Sequence, residues 1–175
     1  MIDFVTLNND MKTWIKNVTG LDNGHVINQN DNNPRPIGQY ATVRIFDPIE
    51  LGHDSTIITD SINNTVDINY QGIRQIMVGI NIYRDGVNTA LTLMAQLKSS
   101  LNRVAQKEYF KALDIGIINA SQTRDLSTVV KEDWEERRQA DFFFYINDFE
   151  TENIEAIVKV SGEGFGVPYL VDSTI

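Results

Sequence analysis

The chain has 175 residues and no cysteine, which excludes disulfide frameworks, thiol catalysis and cysteine-ligated metal sites. Its 24 acidic side chains outnumber the 15 basic ones, and the formal charge of −9 argues against a sequence-independent grip on nucleic acid. At 42% hydrophobic and 9% aromatic it has the composition of a soluble globular chain, able to bury about 70% of its unfolded surface without a staple.

Phe4, Leu7, Met11, Trp14, Ile15 and Val18 recur at spacings of three and four, which predicts an amphipathic helix over 3–19. Asp3 is its candidate N-cap and Gly20 its stop. Residues 24–27 read as a short strand. The polar run 28–33 has nothing to bury, and Pro34-Arg35-Pro36 makes an extended exit from it. Residues 39–46 are rich in β-branched and aromatic types, a strand that Pro48 ends.

A loop is expected at 51–54, then strands at 55–62 and 65–70 around an Asn63-Asn64 turn, with a break at Gln71-Gly72. The clearest strand signal is 73–84, where Ile76, Val78, Ile80 and Ile82 share one face. Val87, Ala90, Leu91, Met94, Leu97, Leu101 and Val104 then predict a second long helix over 87–106, capped near Asp85 or Gly86. Residues 115–118 form a short strand. The charged run 132–138 precedes a strand at 140–149, whose aromatic residues on both faces suit a central position. A last strand at 154–160 leads to Ser161-Gly162-Glu163-Gly164-Phe165-Gly166. These elements predict an α+β fold, a mostly antiparallel sheet flanked by two long amphipathic helices. One domain spans 1–160 and a glycine-rich arm spans 161–175.

No enzyme motif stands out. His25 and His53 each sit alone among turn residues, with no metal-ligand spacing and no G-x-S-x-G elbow. Asn30, Asp31, Asn32 and Asn33 lack the regular spacing of a calcium loop. Gly162, Gly164 and Gly166 do not make a phosphate-binding turn, because Glu163 repels phosphate and no helix follows. No cofactor and no metal are implied. No apolar run reaches the ~18 residues of a membrane span, and Met1-Ile2-Asp3-Phe4 lacks the parts of a signal peptide.

Two segments are candidates for contacts. Glu135, Glu136, Arg137 and Arg138 carry both signs densely, which suits subunit contacts as well as a solvated face. The arm follows flexible glycines with Phe165, Val167, Tyr169 and Leu170, apolar enough to dock on a neighbour by strand addition or to fold back on its own subunit.

One order of elements is distinctive. A helix with Trp14 leads to Pro34-Arg35-Pro36 and a strand. The strand Arg74-Gln75-Ile76-Met77-Val78-Gly79-Ile80-Asn81-Ile82-Tyr83 runs through Gly86 into the helix around Ala90–Leu101. A Gly116 segment then leads to Glu136-Arg137-Arg138-Gln139-Ala140-Asp141 and the aromatic strand. Over most of residues 3–150 this resembles the neck or tail-terminator proteins of tailed bacteriophages. The resemblance implies a non-enzymatic structural protein of the virion, assembled in the host cytoplasm as a hexameric ring on the last ring of the tail tube. Its partners would be further copies of itself, the tail tube protein, a head-completion or connector protein and, in a contractile tail, the sheath protein. DNA would pass through the channel without specific binding, and no membrane is involved. The competing reading is a non-enzymatic α+β ligand-binding or regulatory module. A weaker one is an enzyme whose site is assembled between subunits.

Overall fold

The apolar spacing near the N-terminus becomes α1 (Phe4–Thr19), the first element of the computed structural model. The Asp3 carboxylate accepts hydrogen bonds from the Val5 and Thr6 amides at 3.0 and 3.1 Å. Gly20 closes the helix at φ 73°, a left-handed conformation that glycine adopts without steric cost. The structure describes residues 1–30, 34–60, 65–85, 89–130, 133–155, 159–164 and 167–172.

A 3-10 turn (Asn23–His25) leads into β1 (Val26–Asn28), β2 (Tyr40–Ile45), β3 (Ile49–Asp60) and β4 (Thr65–Asp85). Then come α2 (Thr89–Ser100), α3 (Val104–Ala112), β5 (Ile115–Ala120), β6 (Arg124–Asp125), β7 (Thr128–Val130) and β8 (Asp133–Glu155). The last strands are β9 (Lys159–Gly164) and β10 (Val167–Asp172). Among the described residues, β1 to β8 form one mixed sheet ordered β1-β2-β4-β8-β5, with β3 pairing β4 and β6 and β7 pairing β8. β1 runs parallel to β2, whereas β2 is antiparallel to β4 and β5, β6 and β7 are antiparallel to β8. β9 and β10 make a separate antiparallel pair.

This overturns the expected α+β fold of a mostly antiparallel sheet flanked by two long helices. The sheet is large and mixed, and among the described residues the helices are three, of 16, 12 and 9 residues. The helix expected over 87–106 is broken. The Ser99 and Ser100 hydroxyls donate to the carbonyls of Gln96 and Leu97 at 3.0 and 2.7 Å, a local competition that weakens a helix end. The Arg103 amide closes a tight turn onto the Ser100 carbonyl at 2.9 Å, and Arg103 itself is extended. Leu101 stays in the core, but Val104 is 76% exposed, so the apolar period that linked them carries across a turn rather than along one helix.

Two expected interruptions are strand. The loop at 51–54 lies inside β3, where Gly52 at φ 78° marks a local kink. The break at Gln71-Gly72 lies inside β4, where the Gln71 carbonyl accepts from the Ser55 hydroxyl at 3.1 Å. The charged run does not precede the aromatic strand; from Asp133 onward it is part of β8. Short partners satisfy that edge, with Asp125 opposite Arg138 and Thr128 opposite Glu135. The Asn63-Asn64 turn, Gly86, Glu132 and Phe165 lie outside the described residues.

The chain divides into two compact units. The larger, residues 2–51 with 73–147, holds the apolar core. Trp14 is fully buried there, its indole N–H donating to the Ser100 hydroxyl at 3.1 Å. Its ring meets Phe110, Phe142 and Phe144 edge-on at centroid distances of 5.3, 5.2 and 6.0 Å, so α1, α2, α3 and β8 converge on one side chain. Ile76, Val78, Ile80 and Ile82 supply the sheet side of this core, as their alternation predicts.

The smaller unit comprises Met1, residues 52–72 and residues 148–175. Polar side chains tie its strands together. Asn69 donates to the Thr59 hydroxyl at 3.2 Å and accepts from Thr151 at 2.8 Å, and the Tyr70 hydroxyl donates to Glu152 at 3.1 Å. Four of its large apolar side chains are exposed: Ile57 and Ile58 on β3, and Phe149 and Ile154 on β8.

Candidate functional site

Strand alternation divides the charged segment of β8 between two faces. Glu136 and Arg138 share the parity of Ala140, Phe142 and Phe144, which are core residues. Glu136 is 1% exposed, and its carboxylate accepts from the amides of Thr89, Ala90 and Leu91 at 2.8, 3.0 and 3.3 Å. It thus caps the N-terminus of α2 from another strand, where unpaired amides and the helix dipole favour negative charge. Burial pushes its pKa up, but the Ala90 amide, the Arg138 guanidinium and the amides of Leu91 and Thr89 outweigh burial and hold the carboxylate below its ordinary range. Arg138 donates from Nε to Glu136 at 3.1 Å and also pairs with Asp125. Asp125 in turn accepts from the Ser127 amide and hydroxyl at 3.0 and 2.6 Å.

Glu135 and Arg137 belong to the opposite face. The Arg137 guanidinium donates twice to the Asn81 side-chain oxygen, at 3.2 and 3.0 Å, and lies 5.2 Å from the Tyr83 ring centre. Asn81 also donates to the Thr42 hydroxyl at 3.3 Å. The Tyr83 and Tyr40 rings stack at 4.5 Å. Burial, reinforced by the Glu135 charge, pushes the Tyr40 hydroxyl up to about 12. Glu135 is paired at 3.8 Å with Arg35, which is itself two-thirds exposed. Beside it on β8, Trp134 is 54% exposed. Farther along the strand, Arg124 pairs with Asp141, and the Asp141 amide donates to the Ser121 hydroxyl at 2.9 Å.

The four charged residues proposed for contacts therefore lie together on β8 but on two faces. Glu136 and Arg138 face inward and hold α2, β6 and β8 together. Glu135 and Arg137 line the polar face, whereas the exposed Trp134 has the parity of Glu136 and Arg138 and belongs to the other face. Sequence reasoning missed the Glu136 cap because its amides lie 46 residues earlier in the chain. It also missed the polar face, although Asn81 in an otherwise apolar strand was a readable signal. Val167, Tyr169 and Leu170 lie in β10, paired in register with Gly164, Gly162 and Ser161 of β9.

Of the chemistry-bearing loops, His25 falls in the 3-10 turn and His53 on the exposed β3. Among the described residues no three histidine, aspartate or glutamate side chains gather as metal ligands. An open cleft of about 620 Å³ borders α1, β1 and β2. Some of its polar groups are engaged locally: Asn8 donates to Asn28 at 2.9 Å, and Arg44 lies 4.6 Å over the Phe46 ring. No helix among the described residues is long and apolar enough to cross a membrane.

Charge is divided unequally between the units. The smaller one holds nine of the 24 acidic side chains and one of the 15 basic, Lys159. Almost the whole formal charge of −9 therefore belongs to its 50 residues, and the larger unit is close to neutral.

Comparison with family models matches residues 5–166 to a family described as phage neck terminator protein. Comparison with curated proteins finds no match.

Proposed function

The chain belongs to the phage neck terminator protein family, and from that membership we propose that it forms a ring, a hexamer when docked, that caps the tail tube of a tailed bacteriophage. The family is a structural one of the neck, which makes the chain a virion component at the junction of head and tail. In the proposed role one side of the ring meets the tail tube protein and the other a head-completion protein, with the sheath attached if the tail contracts. The observation that carries this reading is the family match over residues 5–166. The polar face around Glu135 and Arg137 and, on the other face of β8, the exposed Trp134 support a subunit contact, since tryptophan and arginine are residue types enriched at interfaces. The β9–β10 pair supports a docking arm, because an isolated two-stranded hairpin is marginal in water and gains from a further partner. The acidic balance suits a channel through which DNA slides.

Mass photometry of the protein alone and with the tail tube protein of the same phage tests the reading. Particles of six times the monomer mass are expected, at least on the tube. A monomer in both conditions would overturn it.

A further inference from the structure

A row of cations and a row of carboxylates in this chain have matching repeats. Arg103 sits at the N-cap of α3, Lys107 one turn on and Lys111 two turns on. All three are exposed, and among the described residues none has a carboxylate within ion-pair distance. Glu108 is the single acidic residue on that helix. In the smaller unit, Asp148, Glu150 and Glu152 occur at every second position of β8, which places them on one face of the strand. The Tyr70 hydroxyl donates to Glu152, and that hydrogen bond, with the charges of Glu152 and Glu150, raises the Tyr70 pKa. Asp148 lies 3.4 Å from the terminal amine of Met1. The face is strongly anionic and carries exposed Ile154.

We propose that the carboxylate face of β8 docks on the cationic face of α3 in a second copy of the chain. This rests on the ring reading and names the contact that would close the ring. Side chains two apart on a strand recur about every 6.8 Å, and side chains four apart on a helix about every 6 Å. Three pairs therefore stay within about 2 Å of register, inside the reach of lysine and arginine side chains. Val104, 76% exposed next to Arg103, and Ile154, the next residue along the carboxylate face, put an exposed apolar side chain at one end of each row. Because the two surfaces are different, each copy offers one of each, and such a head-to-tail contact propagates until a rotation closes it. The partner is the same chain because it brings the cations that the acidic unit lacks.

The test uses the full chain in mass photometry, alone and with the tail tube protein of the same phage, at low salt and at about 1 M salt, where screening falls to ~3 Å. Two reversed variants are made: Arg103→Glu with Lys107→Glu, and Glu150→Lys with Glu152→Lys. Lys111 is left in place because it complements the dipole at the end of α3. Each variant alone should assemble at least tenfold more weakly, and an equimolar mixture of the two should recover assembly, since each supplies the complement of the other. High salt should weaken assembly of the unaltered chain. Circular dichroism reports that each variant is folded. If a reversal unfolds, Lys107→Gln and Glu150→Gln are read the same way, weaker assembly supporting the contact and unchanged assembly overturning it. Unaltered assembly that both folded variants match overturns this contact and leaves the ring reading standing, as does a mixture that fails to recover. No assembly of the unaltered chain in either condition overturns both.

Discussion

The Trp14 indole and the Ser100 hydroxyl meet at 3.1 Å in a fully buried site, 86 residues apart in the chain. Ser100 also donates to the Leu97 carbonyl at 2.7 Å, so one hydroxyl both ends α2 and satisfies the tryptophan beneath it. Ser100→Ala strands the indole N–H away from water. The expected loss is about 1–3 kcal/mol, the usual penalty for a buried donor left unpaired. Urea unfolding measures it; a loss under about 0.5 kcal/mol would show that the indole finds another partner.

Glu136 gives a prediction with a pH sign. Its pKa is depressed in the fold, so its stabilising effect is present above the unfolded carboxylate value of about 4.3 and is lost as pH falls through the lower folded value. Glu136→Gln keeps the shape and removes the charge. It should cost about 1.5–3 kcal/mol at neutral pH and much less in acid, so the two stability curves converge below pH ~4. Parallel curves would mean that the carboxylate is not the cap.

Two truncations separate the broken helix from a continuous one. Leu97 is fully buried, and Leu97→Ala should cost about 2–5 kcal/mol. Val104→Ala should stay within about 0.5 kcal/mol, because Val104 is exposed at the start of α3. Equal losses at both sites in thermal melts would restore the single helix.

The charged segment of β8 should respond by burial. Arg138→Glu sets a carboxylate beside Glu136 and Asp125 and should unfold or strongly destabilise the chain. Trp134→Ala should leave the melting temperature nearly unchanged and weaken assembly at least tenfold, as an exposed aromatic anchor at a subunit contact would. Normal assembly of Trp134→Ala would remove that residue from the interface.

Exchange at the C-terminal hairpin tests the arm. The amides of 167–172 that pair with β9 should exchange quickly in the isolated protein and slowly in the assembled tail. Strong protection in the isolated chain, or none in either state, would end the docking role.

Local chemistry decided what depends on neighbours a few residues away. Helix α1 was legible from end to end, with Asp3 capping it, Gly20 stopping it and Leu7, Met11, Trp14 and Ile15 buried, because spacing, cap and stop all act within one or two turns. The buried face of β4, Ile76, Val78, Ile80 and Ile82, was legible in the same way, from alternation at period two. The tertiary structure decided what depends on partners far along the chain. Gln71 and Gly72 carry turn chemistry, yet strand pairing keeps them inside β4 because a ladder outweighs local preference, and Gly52 at φ 78° only kinks β3 without ending it. The break after Ser100 was hidden by an apolar period that continues across it. Whether Glu136 is a solvated charge or a buried cap depends on three amides 45 to 47 residues before it, and only folding brings them together. The total charge was a property of composition, but its concentration in one unit came from which strands the fold assembled there.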